Sequence, residues 1–349
     1  MSDLNKLLYN EIFDHVYDKL NNGLSKVEII LTRKCNLQCS YCYQRKDRIK
    51  KAHRQDSIKF EDIRKSIDLL FNELTLHSKH IGFFGGEPLL EWGLLKRAVQ
   101  YAESKSDAGS ITYNITTNAT ILPDDFIDFF KNRNLALLIS IDGTKAIHNR
   151  NRKYKNGQGT FNDIILNTKK LVENNIYFSI RLTVTPKTLP TISEFLIWCR
   201  KNIPNTKIII GPATGYNWAG LEGKMANAMM TCLDFERKST LKIEFYDYDN
   251  DLGYECGAGR THIAVDTNGD IYPCAKFAFL DKSIDYKVGN VTEGIFNCKI
   301  CDKISQAVQN GYCPAVNLEE NDTFFSPSLT LATYNLASKI MSKKYDFTK

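Results

Sequence analysis

Residues 31–43, Leu-Thr-Arg-Lys-Cys-Asn-Leu-Gln-Cys-Ser-Tyr-Cys-Tyr, place Cys35, Cys39 and Cys42 within eight positions. Three thiolates neither saturate a tetrahedral zinc nor pair evenly into disulfides. They suit a cubane iron–sulfur cluster in which three irons take cysteine and the fourth stays open, a departure from the usual four-cysteine ligation. The competing reading, cysteines packed as small hydrophobes beside a strand end, gives no reason for three of them to share one polar loop.

The chain has 349 residues, enough for a full core in about two domains or in one barrel with an appendage. The first 19 residues carry no continuous apolar run with a small-residue cleavage site, and no stretch reaches the length of a membrane span. Clustered cysteines without an export signal point to a reducing cytoplasm and metal ligation rather than disulfides. The formal net charge of +6 is modest and dispersed. The basic run 45–51 reads as a solvated flank of the cysteine loop ahead of a site for an anionic partner, so no nucleic acid or membrane partner is expected.

Apolar periodicity predicts a leading helix over 4–20, then a β-branched strand at 27–31 that runs straight into the cysteine loop. Helical stripes at 61–74, 94–104, 124–132, 162–174 and 192–201 alternate with strands at 81–84, 111–116, 135–141, 177–184 and 207–210. Six strands alternating with helices imply a parallel sheet with right-handed crossovers, either open and doubly wound or part of a barrel. Ligands in both architectures gather at the carboxyl ends of the strands, where the cysteine loop lies.

Other polar groups share that end. Gly85-Gly86-Glu87-Pro88 follows the second strand, where glycines allow close backbone approach and the carboxylate and carbonyls can accept from an ammonium. Thr116-Thr117-Asn118 follows the third strand. Ser140-Ile141-Asp142-Gly143 follows the fourth, leading to His148, Arg150, Arg152 and Gly157-Gln158-Gly159-Thr160-Phe161. His148 reads as a structural hydrogen bonder, because no second histidine lies at ligand spacing.

After a turn-rich connection at 211–223, residues 261–274 read as a hairpin, with Asn268-Gly269 signalling a tight primed turn. Cys256 precedes it, Cys274 ends it, and Cys298-x2-Cys301 and Cys313 follow a short β-like stretch at 286–291. By spacing alone, two single cysteines and a Cys-x2-Cys pair make a zinc-ribbon candidate. Cys199 and Cys232 fall on apolar helical faces and read as core packing. The tail, 327–349, carries a helical stripe.

Together, Cys35-x3-Cys39-x2-Cys42-Tyr43, Gly85-Gly86-Glu87-Pro88, Ser140-Ile-Asp-Gly and His148-x3-Arg152 with Gly157-x-Gly159-Thr-Phe161 resemble the radical S-adenosylmethionine (SAM) superfamily, specifically its branch with a C-terminal SPASM or twitch domain. The resemblance implies an α/β fold: a partial (β/α)6 barrel with a C-terminal twitch/SPASM-like β-hairpin and helix extension. It divides the chain into an N-terminal helix (1–25), the barrel (26–215), a connection (216–255), an auxiliary cluster domain (256–326) and a C-terminal helix (327–349). It also implies a [4Fe–4S] cluster on Cys35, Cys39 and Cys42 whose open iron binds the amino and carboxylate groups of SAM. Around SAM it places Tyr43 on the adenine side, Gly85, Gly86 and Glu87 on the ammonium, and Asn118 and Ser140 near the ribose or carboxylate. Arg152 would pair with the carboxylate, and Leu182 would flank the adenine.

The resemblance moves the later cysteines from zinc toward iron–sulfur. The full SPASM pattern has further cysteines within a segment corresponding to 302–312, which holds none here, so one auxiliary [4Fe–4S] cluster is expected rather than two. Its implied ligands are Cys256, Cys274, Cys298 and Cys301, with Cys313 the alternative to either member of the pair. The implied activity is hydrogen-atom abstraction by a 5′-deoxyadenosyl radical, leading to cross-linking, epimerisation or side-chain oxidation of a ribosomally made precursor peptide, with a flavodoxin or ferredoxin as reductant. The alternatives are small-molecule dehydrogenation, sulfatase-maturase-like protein oxidation and a non-catalytic iron–sulfur scaffold. No winged-helix leader-binding domain fits before Val27, so strand addition near the hairpin is the expected mode of leader binding. The sulfatase-maturing subgroup is the poorer match, since Ala275 stands where that subgroup has a carboxylate.

Overall fold

The computed structural model describes residues 24–44, 55–71, 79–106, 108–245, 256–293, 298–309, 313–321 and a few positions between 332 and 339. The expected leading helix, the basic run and most of the tail stripe lie outside these residues.

The frame is seven strands that each receive the next in parallel: β1 (Lys26–Thr32), β2 (Lys79–Gly85), β3 (Ile111–Thr117), β4 (Asn134–Ser140), β5 (Phe178–Val184), β6 (Lys207–Pro212) and β7 (Lys242–Phe245). Between them run α1 (Phe60–Phe71), α2 (Trp92–Glu103), α3 (Phe126–Phe130), α4 (Lys145–Asn151), α5 (Phe161–Glu173), α6 (Ile192–Asn202) and α7 (Glu222–Arg237). The seventh strand adds to the six read from the sequence. Lys-Ile-Glu-Phe is four residues long and half charged, and pairing with β6 rather than propensity makes it a strand.

Parallel strands covered on both faces are apolar throughout, but these alternate. Val27, Ile29 and Leu31 of β1 are wholly buried, as are Ile81 of β2, Tyr113 of β3, Ile180 of β5 and Ile208 of β6. Lys26 and Glu28, Thr112 and Asn114, Arg181 and Thr183, on the alternate positions, stay partly exposed, whereas Ile30 near the end of β1 is buried as well. One face therefore packs under helices in a single core, joined by Ile63, Ile67 and Leu70 of α1 and Phe195 and Leu196 of α6. The other face is polar and open, which fits a partial barrel rather than a doubly wound sheet.

Helix α3 is too short to hold itself. Phe126 and Phe130 anchor it, packing against Trp92 at 5.5 and 6.1 Å between ring centroids. Each buried ring contributes roughly 1.5–3 kcal/mol.

On the other edge, β8 (His262–Val265) pairs parallel with β1, and the hairpin continues through β9 (Asp270–Tyr272) to β10 (Gly289–Asn290). The order β10-β9-β8-β1-β2-β3-β4-β5-β6-β7 makes one unclosed ten-stranded sheet. The hairpin forms where expected, with a different turn. A primed turn needs positive φ at its first central residue, and Asn268 is not among the positive-φ residues, whereas Gly269 has φ 79°. Gly269 N donates to Asp266 O and Asp266 N to Asp270 O, which is an unprimed turn closed by a left-handed glycine. Three helices follow the hairpin, α8 (Ala275–Ala278) before β10, then α9 (Cys298–Gln309) and α10 (Pro314–Asn321).

Candidate active site at the carboxyl ends of the strands

The cysteine loop leaves the end of β1 and is pinned along its length by backbone hydrogen bonds. Arg33 N donates to Asp56 O, Gln38 N to Lys153 O and Ser40 N to Asn151 O, at 2.8–2.9 Å. From the β2 end, Gly86 N and Glu87 N donate to Thr32 O and Lys34 O, both at 2.8 Å. The two glycines are required by this contact. A Cβ at Gly85 would lie 2.1 Å from Thr32 O, and one at Gly86 would lie 2.0 Å from Lys34 O. Their close approach is thus to the chain's own cysteine loop.

Glu87 is 1% exposed, and its carboxylate accepts from Thr117 Oγ1 (2.7 Å), Asn118 N (2.7 Å) and Leu89 N (3.1 Å). Burial raises its pKa, and these donors oppose the rise. Asn118 extends the link to the loop, donating through Nδ2 to Asn36 Oδ1 (2.9 Å) and toward Cys35 Sγ (3.9 Å). Leu37 N also faces Cys35 Sγ, at 3.4 Å. The next residue after Asn118, Ala119, takes φ 52°, costly for a residue with a Cβ. Thr117 Oγ1 accepts its N–H and Asn167 Nδ2 donates to its carbonyl, so both of its backbone groups are paired.

The β4 end supplies Ser140, 8% exposed, and the buried Asp142. Tyr41, between Cys39 and Cys42, donates to Asp142 Oδ2 (2.6 Å) and accepts from Arg152 Nη1 (2.6 Å). Arg152 and Asp142 form an ion pair at 3.9 Å, yet Arg152 Nε and Asp142 Oδ1 are buried without a hydrogen-bond partner. His148 is a structural hydrogen bonder, as its isolation from other histidines implied. Asp142 N donates to its Nδ1, and its Nε2 meets Thr160 Oγ1 at 3.0 Å. Burial pushes its pKa down to about 3, with Arg152 adding to the shift, so it is neutral.

Tyr43 packs edge-on to Phe279 at 5.8 Å, and the Lys276 ammonium sits 4.6 Å from its ring centroid. Leu182 lies on the fifth strand, in β5. It is 2% exposed in the helix-covered core, because strand alternation turns Arg181 and Thr183 to the open face instead. Tyr41 and Asp142 are additions to the sequence-derived set. Asp142 stood inside a quoted motif, but its link to Tyr41 needs the fold.

Burial pushes the Cys39 thiol up to about 11, so its proton leaves only when a bound cation compensates the charge. Among the described residues, no three His, Cys, Asp or Glu side chains form a cage for a single metal ion. The donor set still suits a cluster: three thiols stand on one pinned loop, with N–H groups aimed at Cys35. In the hairpin region burial raises the pKa of Cys274 and, to about 11, that of Cys313, and Cys256 adds to both shifts through its charge. Cys301 lies against Gly259, its Sγ 3.4 Å from a Cβ built there. Cys298 starts α9, and Cys199 and Cys232 are fully buried in the core.

The unclosed parallel sheet with a thiol loop and polar strand ends defines an S-adenosylmethionine-type radical fold. The Radical SAM superfamily profile matches residues 29–218, and the chain belongs to that superfamily. An uncharacterised protein of Methanocaldococcus jannaschii is 34% identical over 175 residues, covering 50% of this chain and 58% of that protein. The cysteine-type anaerobic sulfatase-maturating enzyme of Clostridium novyi is 26% identical over 287 residues, 75% of each chain. In fold, native anSMEcpe with bound AdoMet matches with a TM-score of 0.73 at 18% identity, covering 91% of this chain and 97% of that one. Streptococcus suis SuiB bound to precursor peptide SuiA matches with a TM-score of 0.66 at 15% identity, covering 92% and 79%. Sulfatase maturases thus stand among the relatives, although Ala275 departs from the carboxylate expected of them. Among the described residues, no helix is long and apolar enough to cross a membrane.

Proposed function

We propose that this chain is a radical SAM peptide or protein maturase working in the cytoplasm. The observation that carries the reading is the convergence, on one pinned loop, of Cys35, Cys39 and Cys42 with Asn118 and the Tyr41–Asp142–Arg152 group. The buried, unpartnered Arg152 Nε fits a ligand carboxylate. Asp142 and Tyr41 hold the guanidinium from behind.

A [4Fe–4S] cluster with SAM supplies, when bound, reductive cleavage to a 5′-deoxyadenosyl radical. The chain's part is to hold and enclose. Cys35, Cys39 and Cys42 would ligate the cluster, and Gly85, Gly86 and Glu87 would receive the methionyl ammonium. Asn118 and Ser140 would lie near the ribose or carboxylate, and Tyr43 toward the adenine. The polar face of the sheet receives the substrate, and a peptide suits it because a peptide backbone needs donors and acceptors along its length. The relatives named above support a peptide or protein substrate. Cys256, Cys274 and Cys313, with Cys301 or Cys298, would hold one auxiliary [4Fe–4S] cluster.

Anaerobic protein reduced with dithionite should turn SAM into 5′-deoxyadenosine. Failure of fully reconstituted protein to do so would sink this reading. Coexpression with a short peptide encoded beside the gene, followed by mass spectrometry, then reads the modification: loss of two hydrogens per event marks cross-linking or dehydrogenation.

A further inference from the structure

Arg33, two residues before Cys35, makes a two-pronged ion pair with Asp266 of the hairpin turn, 233 positions away in sequence. Its Nε donates to Oδ1 at 3.0 Å and Nη2 to Oδ2 at 2.5 Å, while Nη2 also donates to Ala278 O at 3.0 Å. Both side chains are buried, 6% and 0% exposed. The guanidinium lies 4.7 Å from the centroid of Phe279, and that same ring meets Tyr43, the residue after Cys42, and Phe84, the residue before Gly85. Asp266 is itself fixed, since its Oδ1 accepts from Thr267 N (2.7 Å) and Thr267 Oγ1 donates to Gln55 O (2.7 Å).

The hairpin region therefore grips the cysteine loop at both feet, residues 33 and 43, and supports the glycine turn beside it. A buried ion pair is weak evidence for stability alone, because desolvation offsets its attraction. Its bidentate form fixes direction as well as distance. We propose that Asp266, Arg33 and Phe279 are positioning residues through which the auxiliary region holds the Cys35–Cys42 loop in the geometry that binds SAM. This rests on reading that loop as the cluster and SAM site. A change in the hairpin turn would then be felt at the first cluster, with no cysteine altered.

The test uses Asp266→Asn, Arg33→Lys and Phe279→Leu in the full, reconstituted chain. Lysine keeps the charge but lacks the planar fork. The expected result is a Kd for SAM at least tenfold weaker in all three. The SAM-induced change in the electron paramagnetic resonance spectrum of the dithionite-reduced cluster should also be altered, with circular dichroism and auxiliary-site iron as in the parent. Parent-like SAM affinity and spectra in folded Asp266→Asn and Phe279→Leu would overturn the proposal. If Asp266→Asn does not fold, the milder Phe279→Leu decides alone. A parent protein that neither binds SAM nor shows a reducible cluster would instead refute the functional reading beneath it.

Discussion

At Gly86 a single added methyl group would sit 2.0 Å from Lys34 O, a backbone atom that cannot step aside without moving the cysteine loop. Gly86→Ala is expected to cost about 1–3 kcal/mol through overpacking and to lose iron from the three-cysteine site, read by melting temperature and iron per chain. Arg152→Lys keeps the charge against Asp142 but gives up the Nε donor. SAM affinity should fall about tenfold, roughly 1.4 kcal/mol, by equilibrium binding. The glycine pair, Glu87 and the Ser140–Gly143 segment were legible as strand-end groups, but their partners were not. That Glu87 would take Thr117 Oγ1 and Asn118 N, or that Leu182 would face the core, depends on which way each strand end turns.

The hairpin shows how far sequence reads an element. Asn268-Gly269 located the turn, and β8 and β9 formed on either side. The turn type was decided by the three residues 267–269 between the bonded pair Asp266 and Asp270, with Gly269 alone in the left-handed region. Gly269→Ala should therefore cost about 1–2 kcal/mol, seen as a lower melting temperature, whereas Asn268→Ala should cost less because no positive φ is needed there. Strands β1 to β6 were visible as short apolar or β-branched runs, while β7 was too short and too charged to stand out.

For the whole molecule the acid limb of stability draws on the buried His148 and the partly exposed Glu28. His148 has a folded pKa near 3 against an ordinary 6.5, so as pH falls the unfolded chain takes the proton first. Its contribution is complete above 6.5 and is lost toward 3, on the order of a few kcal/mol. Glu28 is held down at about 2. Burial opposes that, but His262, whose Nε2 lies 3.6 Å from the carboxylate, the nearby Lys26 charge and the Ala275 N–H outweigh it. Its contribution is present above about 4.5 and is lost below. Urea unfolding followed from pH 7 to 4 should show stability falling from about 6.5, and His148→Gln should flatten that upper part. Iron analysis of the triple Cys35/Cys39/Cys42→Ala variant should leave about four irons at the auxiliary site.

The sequence by itself determined the alternation of strands and helices, the three-thiol loop and the hairpin's place, because periodicity, spacing and turn residues act within a few positions. Tertiary structure alone decided that the hairpin joins the edge of β1, that the sheet stays open on a polar face, and that Arg33 meets Asp266. Those contacts join residues far apart in the chain, and only packing brings them within hydrogen-bond reach.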